Sequence, residues 1–344
     1  MRAGDPPPHA TTPEGGAGDR PRHGRAGRAA WRPAAVHAGV ALALLALQFV
    51  LPEYHRLALT RIMVLAVYAM GFNVAFGYAG LLSLGHAMFF AAGLYGAGLT
   101  VYHLDWPVWL GFLAGVTAGA ALSAVAGAVA LRTKGVAFMI VTLMFAQTAY
   151  LATLHFTTWT RGDEGLTLTG AARVLTLGPV SLDLADAATR YNVAWALLAA
   201  TLLVTHRLAR SRLGRALVAV RENEARTAML GYDTFALRWR ALVISGTLSA
   251  VSGAATALLF AYIGSSFASI QTSIEPLLFT LLGGAGTVLG PLLGTALMFT
   301  LIEVASEITT AHLLAVGAVL IALVLFFPKG LVGTLRDRVA PWLP

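Results

Sequence analysis

No cysteine occurs in the 344 residues, which excludes disulfides, thiolate metal sites and cysteine nucleophiles. Lysine occurs only at Lys134 and Lys329. A phosphate-cradling P-loop ends in Gly-Lys-Ser/Thr, and neither lysine has that context. ATP hydrolysis by that route is therefore excluded for this chain. Charge of either sign is scarce, at 12% of residues, where soluble domains carry roughly a quarter. The 24 basic and 16 acidic residues cannot supply the polar surface that a soluble chain of this length needs.

Apolar residues make up 57% of the chain, which excludes disorder for most of it. An integral membrane protein remains. The net charge of +8 is concentrated in two places. Residues 1–33 hold six Arg and three acids, and residues 207–240 hold eight Arg and three acids, so the rest nets zero. Both basic blocks adjoin apolar spans. The positive-inside rule explains them without nucleic acid, which would need a solvated basic face.

The expected fold is all-α: a polytopic helical membrane protein with about eight full spans plus a broken segment. Residues 1–33, rich in Pro, Gly and Arg, read as a disordered basic cytoplasmic tail. Residues 34–335 read as one membrane domain with a cytoplasmic loop at 207–240, and 336–344 as a second cytoplasmic tail. Apolar runs lie near 34–51, 57–79, 81–101, 108–130, 135–156, 191–209, 241–263 and 311–327, each about the ~20 residues a crossing helix requires. Continuous runs favour helices over barrel strands. The basic tail, Arg132 with Lys134, the 207–240 loop, and Lys329, Arg336 and Arg338 all belong inside. That arrangement requires segment 276–304 to cross an even number of times. Gly283-Gly284-Ala285-Gly286 and Gly290-Pro291 interrupt it, so two short half-helices meeting at the glycines are expected, with the glycines at membrane depth.

Three places read as functional. Gly77, Gly80 and Gly85 interrupt a hydrophobic pair of runs, with Ser83 and His86 beside them. Broken helices at membrane depth expose backbone dipoles, which transporters use around a substrate. Gly80, Ser83, Gly85, His86, Gly283, Gly284 and Gly286 are therefore candidate pathway residues, with packing as the competing role. The glycine stripe Gly111, Gly115 and Gly119 fits tight helix packing. The second place is 207–240, where Leu213, Leu217 and Val220 form an apolar ridge at helical spacing. Glu222, Asn223, Glu224 and Asp233 interrupt its basic face, which suits a protein groove better than anionic lipid. The third is Glu275, before Pro276, read as an outer boundary marker or a gate.

Five stretches in order carry a family resemblance. They are Gly77-Tyr78-Ala79-Gly80 through Ser83-Leu84-Gly85-His86-Ala87; Leu131-Arg132-Thr133-Lys134-Gly135; Ser211-Arg212-Leu213-Gly214-Arg215-Ala216-Leu217 with Arg221-Glu222-Asn223-Glu224; Leu282-Gly283-Gly284-Ala285-Gly286-Thr287 with Gly290-Pro291; and Phe327-Pro328-Lys329-Gly330-Leu331. From about 57 to 333 the chain resembles the branched-chain amino-acid ABC transporter permeases, in particular the LivM-like inner-membrane subunit. Ala137 and Thr227 depart from the pattern, as does the long N-terminal tail.

The resemblance implies a bacterial inner-membrane, multi-pass importer subunit with both termini cytoplasmic. It implies a coupling helix docked on an ATPase subunit, a role that falls on Gly214, Arg215, Leu217, Arg221, Glu222, Asn223, Glu224 and Gly231. It further implies a second, non-identical permease subunit, an extracytoplasmic substrate-binding protein and surrounding lipid as partners. No cofactor or metal is expected on this chain, since ATP and Mg would be bound by the ATPase. The expected substrates are branched-chain, aliphatic amino acids, with urea or short amides as the alternative. A secondary transporter or channel should carry paired intramembrane carboxylates or a charged filter. Only Arg61 and His86 lie well inside spans. A membrane enzyme would need a catalytic constellation, and none is legible.

Overall fold

The computed structural model describes residues 32–177, 180–308, 311–327 and 330–338. The expected N-terminal tail and Lys329 lie almost wholly outside these residues. Helices dominate: α1 Arg32–Leu47, α2 Glu53–Asn73 running on through a π-helical turn Val74–Tyr78, α3 His86–Leu104, α4 Val108–Ala130 and α5 Val136–His155. Then come α6 Ala187–Arg210, α7 Arg212–Glu222, α8 Glu224–Met229, α9 Thr234–Phe260, α10 Ile270–Gly283, α11 Gly290–Ile308, α12 His312–Phe326 and α13 Gly330–Arg338. Two small antiparallel ladders pair β1 Leu166–Thr167 with β4 Tyr262–Ile263, and β2 Val174–Leu177 with β3 Val180–Asp183.

Among the described residues, seven helices are long and apolar enough to cross a membrane: α2 with its π turn, α3, α4, α5, α6, α9 and α11. The expected polytopic all-α membrane fold is the observed one, with differences of length at three of the expected segments. α1 has 16 residues and α12 has 15, or about 24 and 22 Å at 1.5 Å each, short of the ~30 Å hydrocarbon core. α11, expected as a half-helix, has 19 residues.

α2 and α9 form the centre, with α3 and α4 packed on α9. Small residues make this possible. Gly115 of α4 faces Gly96 of α3, and Gly119 faces Ala250 of α9. A Cβ on Gly253 would run into the Phe90 carbonyl. Backbones in such direct contact gain dispersion energy that lipid cannot match. Gly111, Gly115 and Gly119 are all buried on this face, so the stripe is a packing device.

Hydroxyls stitch the same helices together. Ser245 Oγ donates to Gly71 O at 2.6 Å and Ser252 Oγ donates to Val64 O at 2.6 Å. Tyr191 and Trp195 of α6 donate to Leu44 O and Ala41 O, fixing α1. The bundle has an arginine-rich end, bearing α7 and α8, and a far end bearing residues 156–177 and 180–186.

Candidate functional site

The first break lies between α2 and α3. Gly80 turns the chain with φ +69°, a conformation that costs other residues a Cβ clash. The chain then runs back into the bundle without helix. Leu84 N donates to Thr142 Oγ1 at 3.2 Å, six residues into α5 and so about 9 Å from its start. α3 begins at His86, whose Nε2 lies 2.7 Å from Ser245 Oγ. Ser245 spends its single proton on Gly71 O, so His86 Nε2 carries the proton and donates. Phe72 and Phe89 flank the ring at 4.8 and 5.5 Å.

The second break separates α10 from α11. The two pair as a hairpin, Gly283 against Gly290 and Gly294 against Phe279. Segment 276–304 is therefore no single straight helix but a hairpin of two. The expected pair of half-helices is corrected to a short α10, 14 residues long, and a full-length α11. α10 starts deep in the bundle. Ser273 Oγ accepts from Ala87 N at 2.9 Å, which places the N-termini of α3 and α10 side by side.

The two breaks meet. Asn73, buried at the end of α2, donates from Nδ2 to Thr287 O at 2.8 Å and accepts on Oδ1 from Gly286 N at 2.9 Å. A Cβ on Gly77 would collide with both Asn73 Oδ1 and Gly286 N. Arg221 of α7 donates from Nη1 to Gly77 O. Its stem packs on Gly80, and its Nη1 would sit 3.2 Å from a Cβ on Gly286. One arginine from the basic loop thus touches both breaks. Sequence reasoning missed Asn73, although an amide within an apolar run was the available signal.

The expected pathway residues fall in two groups. Ser83 and His86 have no exposed surface, and Gly85, Gly283 and Gly284 are buried against neighbouring backbone. In the observed arrangement these residues pack the breaks. Gly80 lines a cavity of about 260 Å³ with Lys134 and Arg238 at the arginine-rich end. Gly286 sits at the junction with Arg221.

The basic loop folds as three capped pieces. Ser211 caps α7 by accepting from Gly214 N, Asn223 caps α8 by accepting from Arg226 N, and Asp233 caps α9 by accepting from Ala236 N. Such caps satisfy orphan helix donors. Gly214 is buried where α6 meets α7, with no room for a Cβ beside Leu208 O. Arg215 is exposed and donates to Arg210 O at 2.8 Å. Glu222 pairs with Arg221 at 2.7 Å. Glu224 accepts from Lys134 at 3.2 Å and Arg238 at 3.0 Å, tying the α4–α5 loop to this block. Gly231, φ +86° with nothing near it, makes the turn toward Asp233.

The apolar ridge is also corrected. Leu217 and Val220 are 0% and 1% exposed, packed with Ala79, Leu237 and Ala241 of the chain's own bundle. They hold α7 in place and are not offered to a partner. The outward apolar surface lies further on, where Met229 and Leu230 are 86% and 72% exposed, with Tyr232 and Phe235 beside them.

A larger cavity, about 680 Å³, opens between α2, α9, α10 and α11, with Arg61, Glu275 and Glu303 among its lining residues. Glu275 is five residues past the start of α10 and forms part of the cavity wall.

The profile of the family described as branched-chain amino acid transport system / permease component matches residues 56–327. The chain is 28% identical over 299 residues to the high-affinity branched-chain amino acid transport system permease protein LivM of Salmonella typhimurium, covering 81% of this chain and 70% of that protein. It is 27% identical to LivM of Escherichia coli over the same shares. No solved structure matches the chain. The matched region contains both breaks, the α7–α9 block and the cavity, and the chain belongs to the family of branched-chain amino acid transport system permease components.

Proposed function

We propose that this chain is the membrane-spanning subunit of an importer that moves branched-chain amino acids into the cytoplasm, driven by ATP hydrolysis in separate subunits. Its arginine-rich end faces the cytoplasm, as the charge distribution favours. Both LivM relatives carry the branched-chain substrate in their names, and the family description agrees. The carrying observation is Arg221, which joins the cytoplasmic block to both helix breaks through Gly77 O and the Gly286 turn.

In this reading an ATPase docks on the exposed Met229–Phe235 surface. Glu224, through Lys134 and Arg238, makes α7, α8 and the α4–α5 loop one rigid piece. ATP-driven closure of the ATPases shifts that piece as a body. Arg221 and Asn73 pass the shift to the ends of α2 and α10, and access to the path alternates. A second permease subunit completes the path, and an extracytoplasmic binding protein delivers the substrate. Metal, cofactor and nucleic acid have no role on this chain.

The test is reconstitution of the whole complex in liposomes, with and without Arg221→Ala. The wild-type complex should take up leucine only when ATP reaches the ATPase. The variant should still bind the ATPase but hydrolyse ATP without matching uptake. Uptake that follows urea or a short amide in place of leucine would sink the substrate assignment. Normal coupling in the variant would sink the role of Arg221.

A further inference from the structure

The cavity between α2, α9, α10 and α11 has the composition of an amphoteric ligand site. Its volume is about 680 Å³, within the roughly 300–1,000 Å³ of small-molecule pockets. Arg61 enters from α2. It stands eight residues after Glu53 and 17 before Tyr78, about 12 Å and 25 Å from the two ends of that helix. A guanidinium so placed is costly unless it faces water, a partner or a ligand. Glu275 enters from α10 and is held half-buried just before Pro276. Among the described residues neither side chain closes an ion pair within 4 Å. Arg61 lies over the Phe260 ring, at 5.8 Å, and its charge reaches Glu275 from beyond ion-pair distance. The third charged wall residue, Glu303, is engaged by the Tyr54 hydroxyl at 2.5 Å. The rest of the lining is largely apolar, with Val64, Leu278, Met298 and Phe299 among it.

We propose that this cavity is a binding station on the transport path for a free aliphatic amino acid. Arg61 takes the α-carboxylate, Glu275 takes the α-ammonium, and the apolar wall takes the side chain. The proposal rests on the importer reading above and names where its substrate binds. Two opposite charges that face one apolar space without pairing match a zwitterion, which carries both charges close together at one end of an apolar body. A guanidinium offers forked donors to a carboxylate. A carboxylate offers only acceptors, which suits an ammonium. Glu275 also sits on the helix whose other end is the Gly284 break. Occupancy here and motion at the arginine-rich end therefore share one rigid element.

The test uses the assembled complex in lipid nanodiscs without the binding protein. Labelled leucine is competed with leucinamide, which lacks the carboxylate, and with 4-methylpentanoate, which lacks the ammonium. The wild type should bind leucine and reject both analogues. Loss of one charge-assisted contact should weaken leucine binding about tenfold or more in Arg61→Gln and in Glu275→Gln. Arg61→Gln should stop discriminating against leucinamide, and Glu275→Gln against 4-methylpentanoate. Arg61→Lys and Glu275→Asp keep the charges and should recover part of the affinity, which separates a lost contact from a lost fold. If wild-type liposomes import leucine but both neutral variants bind it as the wild type does, the cavity belongs to lipid or a partner subunit and the site is overturned alone. If wild-type liposomes import no leucine, the importer reading falls and the site with it.

Discussion

Asn73 is one side chain, yet it supplies both hydrogen bonds that join the two broken segments. Asn73→Ala would leave the buried Thr287 O and the half-buried Gly286 N without these partners, at about 1–3 kcal/mol for a buried orphaned group and less for the other. The expected result is a lower unfolding temperature of the assembled complex, together with ATP hydrolysis that no longer tracks uptake. An unchanged melting curve would show that water replaces the amide. His86 gives the opposite expectation. Its Nε2 bonds Ser245 in a closed aromatic setting, which fits a packing role that holds α3 in place. His86→Gln keeps a donor and should preserve most uptake, whereas His86→Leu should reduce the folded yield. A complete loss of uptake with normal yield in His86→Gln would revive a direct role. Both residues were visible as polar groups in apolar runs. What was not legible was the partner across the bundle, since Ser245 and Gly286 lie far away along the chain.

At the scale of elements, the positions of the breaks were legible because glycine clusters weaken helices wherever they occur. Their meeting in space was not, because nothing local encodes that Gly77 packs on Gly286. Residues 207–240 show the same division. Periodicity announced an amphipathic α7, but period alone cannot say whether an apolar ridge faces a partner or its own bundle, and Leu217 faces the bundle. Glu224 is likewise an internal strut between Lys134 and Arg238. Glu224→Lys would set three cations together and should loosen α7 and α8 from the α4–α5 loop. Protease should then cut near residue 230 faster in the variant than in the wild type. Glu224→Gln should change little, because partly exposed ion pairs are worth about 0–1 kcal/mol. Equal cleavage of Glu224→Lys and wild type would remove the strut from the account.

For the whole molecule, orientation and docking can be read together. The chain has no cysteine, so single cysteines report cleanly. Met229→Cys on the α8 turn and Glu164→Cys at the far end are both exposed positions. In intact cells an impermeant maleimide should label the second and not the first. Labelling of Met229→Cys from outside would invert the topology. Met229 and Leu230 leave most of their surface unburied, so Met229→Asp with Leu230→Asp should spare insertion of the chain. The same pair should abolish co-purification of the ATPase. Retention of the ATPase would move the docking surface elsewhere.

The backbone-to-backbone seam of α3, α4 and α9 has a genetic consequence. Any single-base change in a glycine codon that alters the residue adds a Cβ or stops the chain. At Gly119 and Gly253 of this seam, and at Gly283 where α10 meets α11, that first carbon already meets another main chain or a fixed Ala, so even the mildest substitution is closed to mutation there. Gly39 and Gly317 have open space around them and ordinary helical backbone. Alanine there should be accepted and should favour the helix by about 0.5–1 kcal/mol. A saturation library selected for growth on imported leucine should therefore split the glycines sharply into positions that admit nothing and positions that admit almost anything.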